Sequence, residues 1–214
     1  MYAPHEALAR FVDCAAPTLY SVAGSWRKRS VPNPLSQIRP DNALLLVVDV
    51  QDRLLPAIHD NAAVVEACRR MIEAAKVLEV PMVVTEQYPE GIGRTCQVLL
   101  QCLGDVPLYT KVRFSACIEP VVEKLTSFAR PNVILIGIEA HVCVMQTTLD
   151  LLRLGYTPYL CADAVGSRRP HDRDMAIERL RQAGAVVTTT ESATFELMGQ
   201  AGTDIFKRIL KIVK

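Results

Sequence analysis

The chain has 214 residues, half of them hydrophobic, which is enough for one sizeable core and short for two. Its 24 Lys and Arg balance 23 Asp and Glu, so no global charge argues for nucleic acid or an anionic membrane, and no apolar run approaches the roughly 18 residues of a membrane span. Seven cysteines, an odd number without a CxxC pair, suggest reduced thiols in an intracellular protein, not a disulfide framework or a zinc ribbon.

Residues 1–40 carry most of their charge as Arg and Lys, hold scattered prolines and lack sustained periodicity. They are expected to form a flexible or surface-wrapping N-terminal extension ahead of a single domain over 41–214. The extension has no compact apolar stretch of a secretory signal, and Glu6 and Asp13 weigh against an organellar transit peptide. The expected location is cytoplasmic, with mitochondrial import through the extension as the alternative.

From 43 to 50, ALLLVVDV is a continuous apolar run suited to a strand covered on both faces. Next, Val64, Val65, Cys68, Met71, Ile72, Ala75 and Leu78 fall on one helical stripe, with Asp60 or Asn61 as candidate cap. Residues 80–86 read as a second strand, 96–103 as a short helix and 107–111 as a third strand. Ser115 is a candidate cap for a helix through ACIEPVVEKLTSF. A strand over 132–138 precedes a helix from about His141 to Leu154, closed by Gly155. A further strand near 156–165, a helix from His171 ending on glycine, a sixth strand AVVTTT and a C-terminal amphipathic helix follow. Buried-looking strands alternating with helices indicate an α/β class: a three-layer α/β/α, Rossmann-like fold on a mainly parallel six-stranded sheet.

In such a sheet, ligands bind beyond the carboxyl ends of the strands. Three reactive residues fall there: Asp49 after the first strand, Lys111 after the third and Cys143 past the fourth, at a helix start. Each alone has an ordinary explanation: a carboxylate on loop amides, a solvated lysine, a small core hydrophobe. Their joint placement points to a site. A helix N-terminus and a nearby ammonium would lower the thiol pKa. Asp49 would take the thiol proton and later activate water, and N–H groups at the turn would hold an oxyanion. Nucleophile, base, cation and oxyanion donors form the set needed to hydrolyse an amide or related acyl group.

LLLVVDVQDRL, LYTKVRFSA and GIEAHVCVMQTTLDLLRLGYTPYLCADAVGSR resemble the three motifs of the isochorismatase-like cysteine hydrolases. VTEQYPEGIGRT with GIEAHVCV resembles, within that family, the isochorismatase domain-containing proteins. The resemblance spans roughly 41–210. It implies a Cys-Asp-Lys triad on Cys143, Asp49 and Lys111 and a cis peptide at Ile138–Glu139. It also implies oxyanion amides from Glu139 and Cys143, a covalent acyl-enzyme, and homo-oligomers. The nicotinamidase branch has the same triad with a DxHxxH-like metal motif. His5, His59, His141 and His171 make no such pattern, so neither a catalytic metal nor another cofactor is expected. True isochorismatases lack the cysteine, which disfavours vinyl-ether hydrolysis. Many members have Thr-Asp or Thr-Asn ahead of the cysteine. Here Ala140-His141 stands there, and His141 either contacts substrate, tunes the thiol or points to solvent.

Gln87, Tyr88 and Phe114 are candidate pocket residues, each equally suited to ordinary packing. The expected substrate is a small molecule with an amide, ureido or carbamoyl C–N bond; no nucleic acid or membrane partner is expected. An acceptor-aspartate signalling module is disfavoured because Val48 and Val50 flank Asp49 and no acidic doublet ends another early strand. No GxGxxG or Walker loop supports a nucleotide site. The rival from another class is a non-catalytic oligomeric binding or scaffold protein of the same fold.

Overall fold

The computed structural model describes residues 37–214. They form a six-stranded sheet, all parallel, in the order β3-β2-β1-β4-β5-β6. The strands are β1 (Ala43–Val48), β2 (Met82–Gln87), β3 (Leu108–Lys111), β4 (Asn132–Ile138), β5 (Thr157–Gly166) and β6 (Val186–Thr188). The helices are α1 (Asn61–Val77), α2 (Pro89–Ile92), α3 (Gln97–Leu103), α4 (Glu119–Ser127), α5 (Met145–Arg153), α6 (Pro170–Gln182), α7 (Thr190–Met198) and α8 (Asp204–Val213).

The apolar run of β1 is buried at every position, and the period of two along a strand divides it between two cores. Leu45 and Val47 pack with Met71, Ile72, Leu99, Leu197 and Ile209, from α1, α3, α7 and α8. Leu44, Leu46 and Val48 pack on the other face with Val121, Leu125, Leu151 and Leu180, from α4, α5 and α6. The three-layer expectation is therefore met, with a sheet that is wholly parallel. Ile38 is fully buried in the first core, and its N–H donates to Glu196 Oε1 at 2.8 Å. The packed chain thus starts ahead of residue 41. The expectation for the remainder of the extension, residues 1–36, lies outside the described residues.

Several local expectations change. The left-handed Asp60 (φ 50°) precedes α1 but makes no side-chain cap, and the Asn61 amide donates back to Ile58 O at 3.3 Å. Ser115 caps no helix: α4 starts at Glu119, where Pro120 fits the first turn, and Ser115 Oγ accepts from Cys117 N–H. Helix α7 had no counterpart in the sequence reading. Its signal was Thr189, whose side chain accepts from Ser192 N–H. The apolar stripe of α8, which includes Ile205, Phe206, Ile209, Leu210 and Val213, turns partly inward. Ile209 is fully buried, and Ile212 and Val213 lie against the same core. Ile205 stays exposed. The six described cysteines are all unpaired. No helix among the described residues is long and apolar enough to cross a membrane.

Candidate active site

From β1 the chain proceeds outward to β2 and β3, then returns to place β4 on the other side of β1. That reversal opens a crevice at the carboxyl ends of β1 and β4. Asp49 follows β1 and Cys143 follows β4, so two strands adjacent in space supply residues far apart in sequence. Lys111 reaches in from the end of β3.

Asp49 has a left-handed backbone (φ 54°), which aspartate tolerates better than most residues. Its N–H donates to Thr85 O at 3.1 Å, while Thr85 Oγ1 donates to Asp49 Oδ1 at 2.7 Å. The other carboxylate oxygen, Oδ2, accepts from Lys111 Nζ at 2.6 Å, and both side chains of this ion pair are wholly buried. Lys111 also donates to Gln87 Oε1 at 2.8 Å, Phe114 O at 2.9 Å and Arg113 O at 3.2 Å.

Cys143 lies in a π-helical turn, Ala140–Val144, that leads into α5. The wide turn is closed by Val144 N–H donating to Glu139 O at 3.2 Å. The Ile138–Glu139 peptide is cis. Thr147, one turn into α5, donates to Cys143 O at 2.6 Å and accepts from Ala116 N–H at 2.8 Å, which fastens the cysteine turn to the loop after β3. The thiol lies close enough to Asp49 and Lys111 for both to act on its ionisation.

The electrostatics reverse one expectation. Burial and the adjacent Asp49 carboxylate push the Cys143 thiol up to about 12, and Lys111 only partly offsets them. The helix-start placement is as expected, but desolvation and a neighbouring carboxylate outweigh it. A second consequence concerns Asp49, which burial raises above the ordinary 3.8 while Lys111 opposes the rise. A thiol that holds its proton beside a carboxylate of raised basicity is suited to transfer during attack, not to a resting thiolate. Lys111 lowers both values. Replacing Lys111 by methionine is therefore expected to raise both, moving the acid limb of any Asp49-dependent rate to higher pH. An unchanged limb in a rate-versus-pH series would contradict this.

The other candidates fall in varied settings. Gln87, a candidate pocket residue, has its Oε1 accepting from Lys111 and its Nε2 donating to Val112 O at 2.7 Å. His141 Nδ1 is 2.9 Å from Ser167 Oγ, so the ring is tied to the end of β5 instead of standing free in solvent. Glu139 pairs with Arg168, whose Nε donates to Glu139 Oε1 at 3.0 Å. Tyr88 and Phe114 are both about half exposed, at 53%. The Tyr88 ring lies over Gly91, where an added Cβ would come within 2.4 Å of ring atoms. The TEQYPEGIGRT segment contains the single turn α2; it is closed on itself by Glu86 Oε1 accepting from Thr95 N–H at 2.6 Å, and Arg53 ties it to the body by donating to the carbonyls of Glu90 and Gly91. Phe114 lines an open groove of about 510 Å³ with Arg113, Ser115, Gln146 and Leu149. The sequence reading missed Thr85, Thr147 and Gln51. Only Gln51, two residues past Asp49, had any visible signal. Among the described residues no group of three or more His, Cys, Asp or Glu is placed to hold a metal ion.

A parallel sheet with polar and reactive side chains gathered at its point of reversal defines an α/β protein of the doubly wound class. Residues 43–192 match the model of the isochorismatase domain. A secreted isochorismatase effector, Isc1, from Phytophthora sojae is 40% identical over 190 residues, 86% of this chain and 90% of that one. Isochorismatase domain-containing protein 2 of Xenopus laevis is 39% identical over 173 residues, 80% of this chain and 83% of that one. The solved structure of MAR1 ribonuclease from Caenorhabditis elegans superposes with a TM-score of 0.80 at 41% identity, covering 83% of this chain and 92% of that one. The chain belongs to the isochorismatase family.

Proposed function

We propose that the protein is a metal-independent cysteine hydrolase that cleaves an amide, ureido or carbamoyl C–N bond in a small molecule. The observation that carries the reading is the placement of Cys143 just past β4, the strand paired with the one that leads into Asp49, whose carboxylate forms a buried ion pair with Lys111. Cys143 Sγ bonds to the carbonyl carbon as its proton passes to Asp49. The oxyanion so formed rests on the Glu139 and Cys143 amides. As the C–N bond breaks, the proton moves from Asp49 to the leaving nitrogen, leaving a thioester. Asp49 then takes a proton from water as the water oxygen attacks. The C–S bond breaks, the sulfur regains its proton and the carboxylic or carbamic acid departs. Lys111 keeps the shared proton and the thiol poised by its charge. The burial of Cys143 favours a small acyl substrate, and the unpaired thiols favour a reducing compartment.

A panel of small amides, ureido compounds and carbamates, scored by ammonia release and by the intact mass of the chain, tests the reading. A substrate should leave an acyl mass on Cys143, and Cys143→Ala should release no ammonia. Treatment with a chelator should leave the rate unchanged. Full turnover by Cys143→Ala would overturn the proposal, as would a rate lost to chelator and restored by zinc. Cleavage of RNA independent of Cys143 would instead favour the activity for which the Caenorhabditis relative is named.

A further inference from the structure

Lys111 has a long flexible stem and an ammonium with three rotatable donors, a point charge that settles wherever acceptors hold it. Four oxygens surround it: Asp49 Oδ2, Gln87 Oε1, Phe114 O and Arg113 O. Three N–H groups are thereby committed inside the protein, and none is spare for a substrate. Only two of the four oxygens belong to side chains, and one of those is the base itself.

We infer that Gln87 is a positioning residue for the hydrolytic reaction, aiming the Lys111 ammonium at Asp49 and Cys143, with Gln51 holding Gln87 in place. The inference rests on the catalytic reading of Cys143 above. The direction of the Gln87 amide is fixed by its own second bond. Nε2 donates to Val112 O at 2.7 Å, so Oε1 must be the end that faces the ammonium. The reverse orientation would set an NH₂ group against a cation. The backbone of Gln87 is held from both sides by one side chain. Gln51 Oε1 accepts from Gln87 N–H at 2.7 Å, and Gln51 Nε2 donates to Gln87 O at 2.9 Å and to Gly93 O at 2.5 Å. Gln51 is itself fully buried. The sheet completes the arrangement, since Gln87 and Lys111 are direct partners at the ends of β2 and β3.

The neutrality of the amide has a purpose in this setting. A glutamate at position 87 would compete with Asp49 for the ammonium and would add a second negative charge near the thiol. Glutamine accepts the same hydrogen bond without either effect. The chain from Gln51 through Gln87 to Lys111 thus returns to Asp49, two residues from its start.

A double-mutant cycle tests this. Gln87→Met, Lys111→Met and the double variant are compared with the parent chain by the rate at which iodoacetamide modifies Cys143, mapped by mass and followed from neutral to alkaline pH. Urea midpoints are recorded alongside. Gln87→Met is expected to slow the modification about fivefold or more and to shift its pH profile upward, within the range that directly coupled neighbours show. In the Lys111→Met background the same change should have no further effect, because there is no ammonium left to aim. A purely structural role would move the urea midpoint, leave the profile in place and give effects that multiply. That outcome, or a parent-like rate in Gln87→Met, overturns the inference. If Lys111→Met itself matches the parent chain, the catalytic reading fails with it. If only Gln87→Met matches, the inference alone falls. Gln87→Ala gives the same cycle should methionine prevent folding.

Discussion

Asp49→Asn is expected to lower hydrolysis by about 10²–10⁴-fold, the usual contribution of a positioned general base. Asparagine is the informative change because it tolerates the left-handed backbone at this position (φ 54°) and can still turn its oxygen to Lys111 while its NH₂ donates to the Thr85 hydroxyl. What it cannot do is take a proton. Burial still pushes the thiol upward when the Asp49 charge is gone, so the nucleophile has no partner for its proton at neutral pH, and water later has no base. Both half-reactions should slow together, so no acyl-enzyme should accumulate. Asparagine also leaves the buried Lys111 ammonium beside a neutral group, which costs stability. The rate must therefore be normalised to the fraction folded by circular dichroism. A build-up of acyl mass on Cys143 would show that Asp49 serves only deacylation, and an unchanged rate would remove it from the mechanism.

The second large effect is expected from Gly137→Ala. Gly137 sits in β4 directly opposite Val48, with φ at 131°, and a methyl group there would lie 2.0 Å from Val48 O. The obstacle is backbone, so no side chain can swing aside. The change forces β1 and β4 apart and demands a conformation that L side chains rarely adopt, at a cost of about 3 kcal/mol or more. A large drop in the urea midpoint should accompany low activity in whatever fraction folds, since these two strands carry Asp49 and Cys143. A midpoint equal to that of the parent chain would show that the close approach is not required.

What could be read from the sequence follows the range of the forces involved. Strand identity was legible because ALLLVVDV and NVILIGI can be buried only as central strands, and the strand ends then located Asp49, Lys111 and Cys143. The resemblance of the surrounding motifs pointed to the same three positions. The direction of the Cys143 shift was not legible, because it depends on how much water the fold removes and on how near Asp49 comes. Neither quantity is local. Ser115 looked like a cap by type, yet Pro120 set the helix start. The role of Gln87 could not be assigned either, since its partners Gln51, Lys111 and Val112 meet it only through the pairing of β2 with β3 and the turns beyond them. Helix α7 was overlooked because its threonines resemble the continuation of a strand until Thr189 turns its side chain onto Ser192.

The order in which the chain is made gives the point of reversal in the sheet one more meaning. The proposed base, the cation and its glutamine clasp all belong to the segment that ends before β4, and that segment is synthesised first. The thiol arrives later and meets them only when β4 slides in beside β1. A nascent or truncated chain therefore carries the parts of a reactive centre without the centre. On the proposed mechanism the pairing of β4 with β1 acts as the safety catch, and chemical competence appears only once that pair has formed.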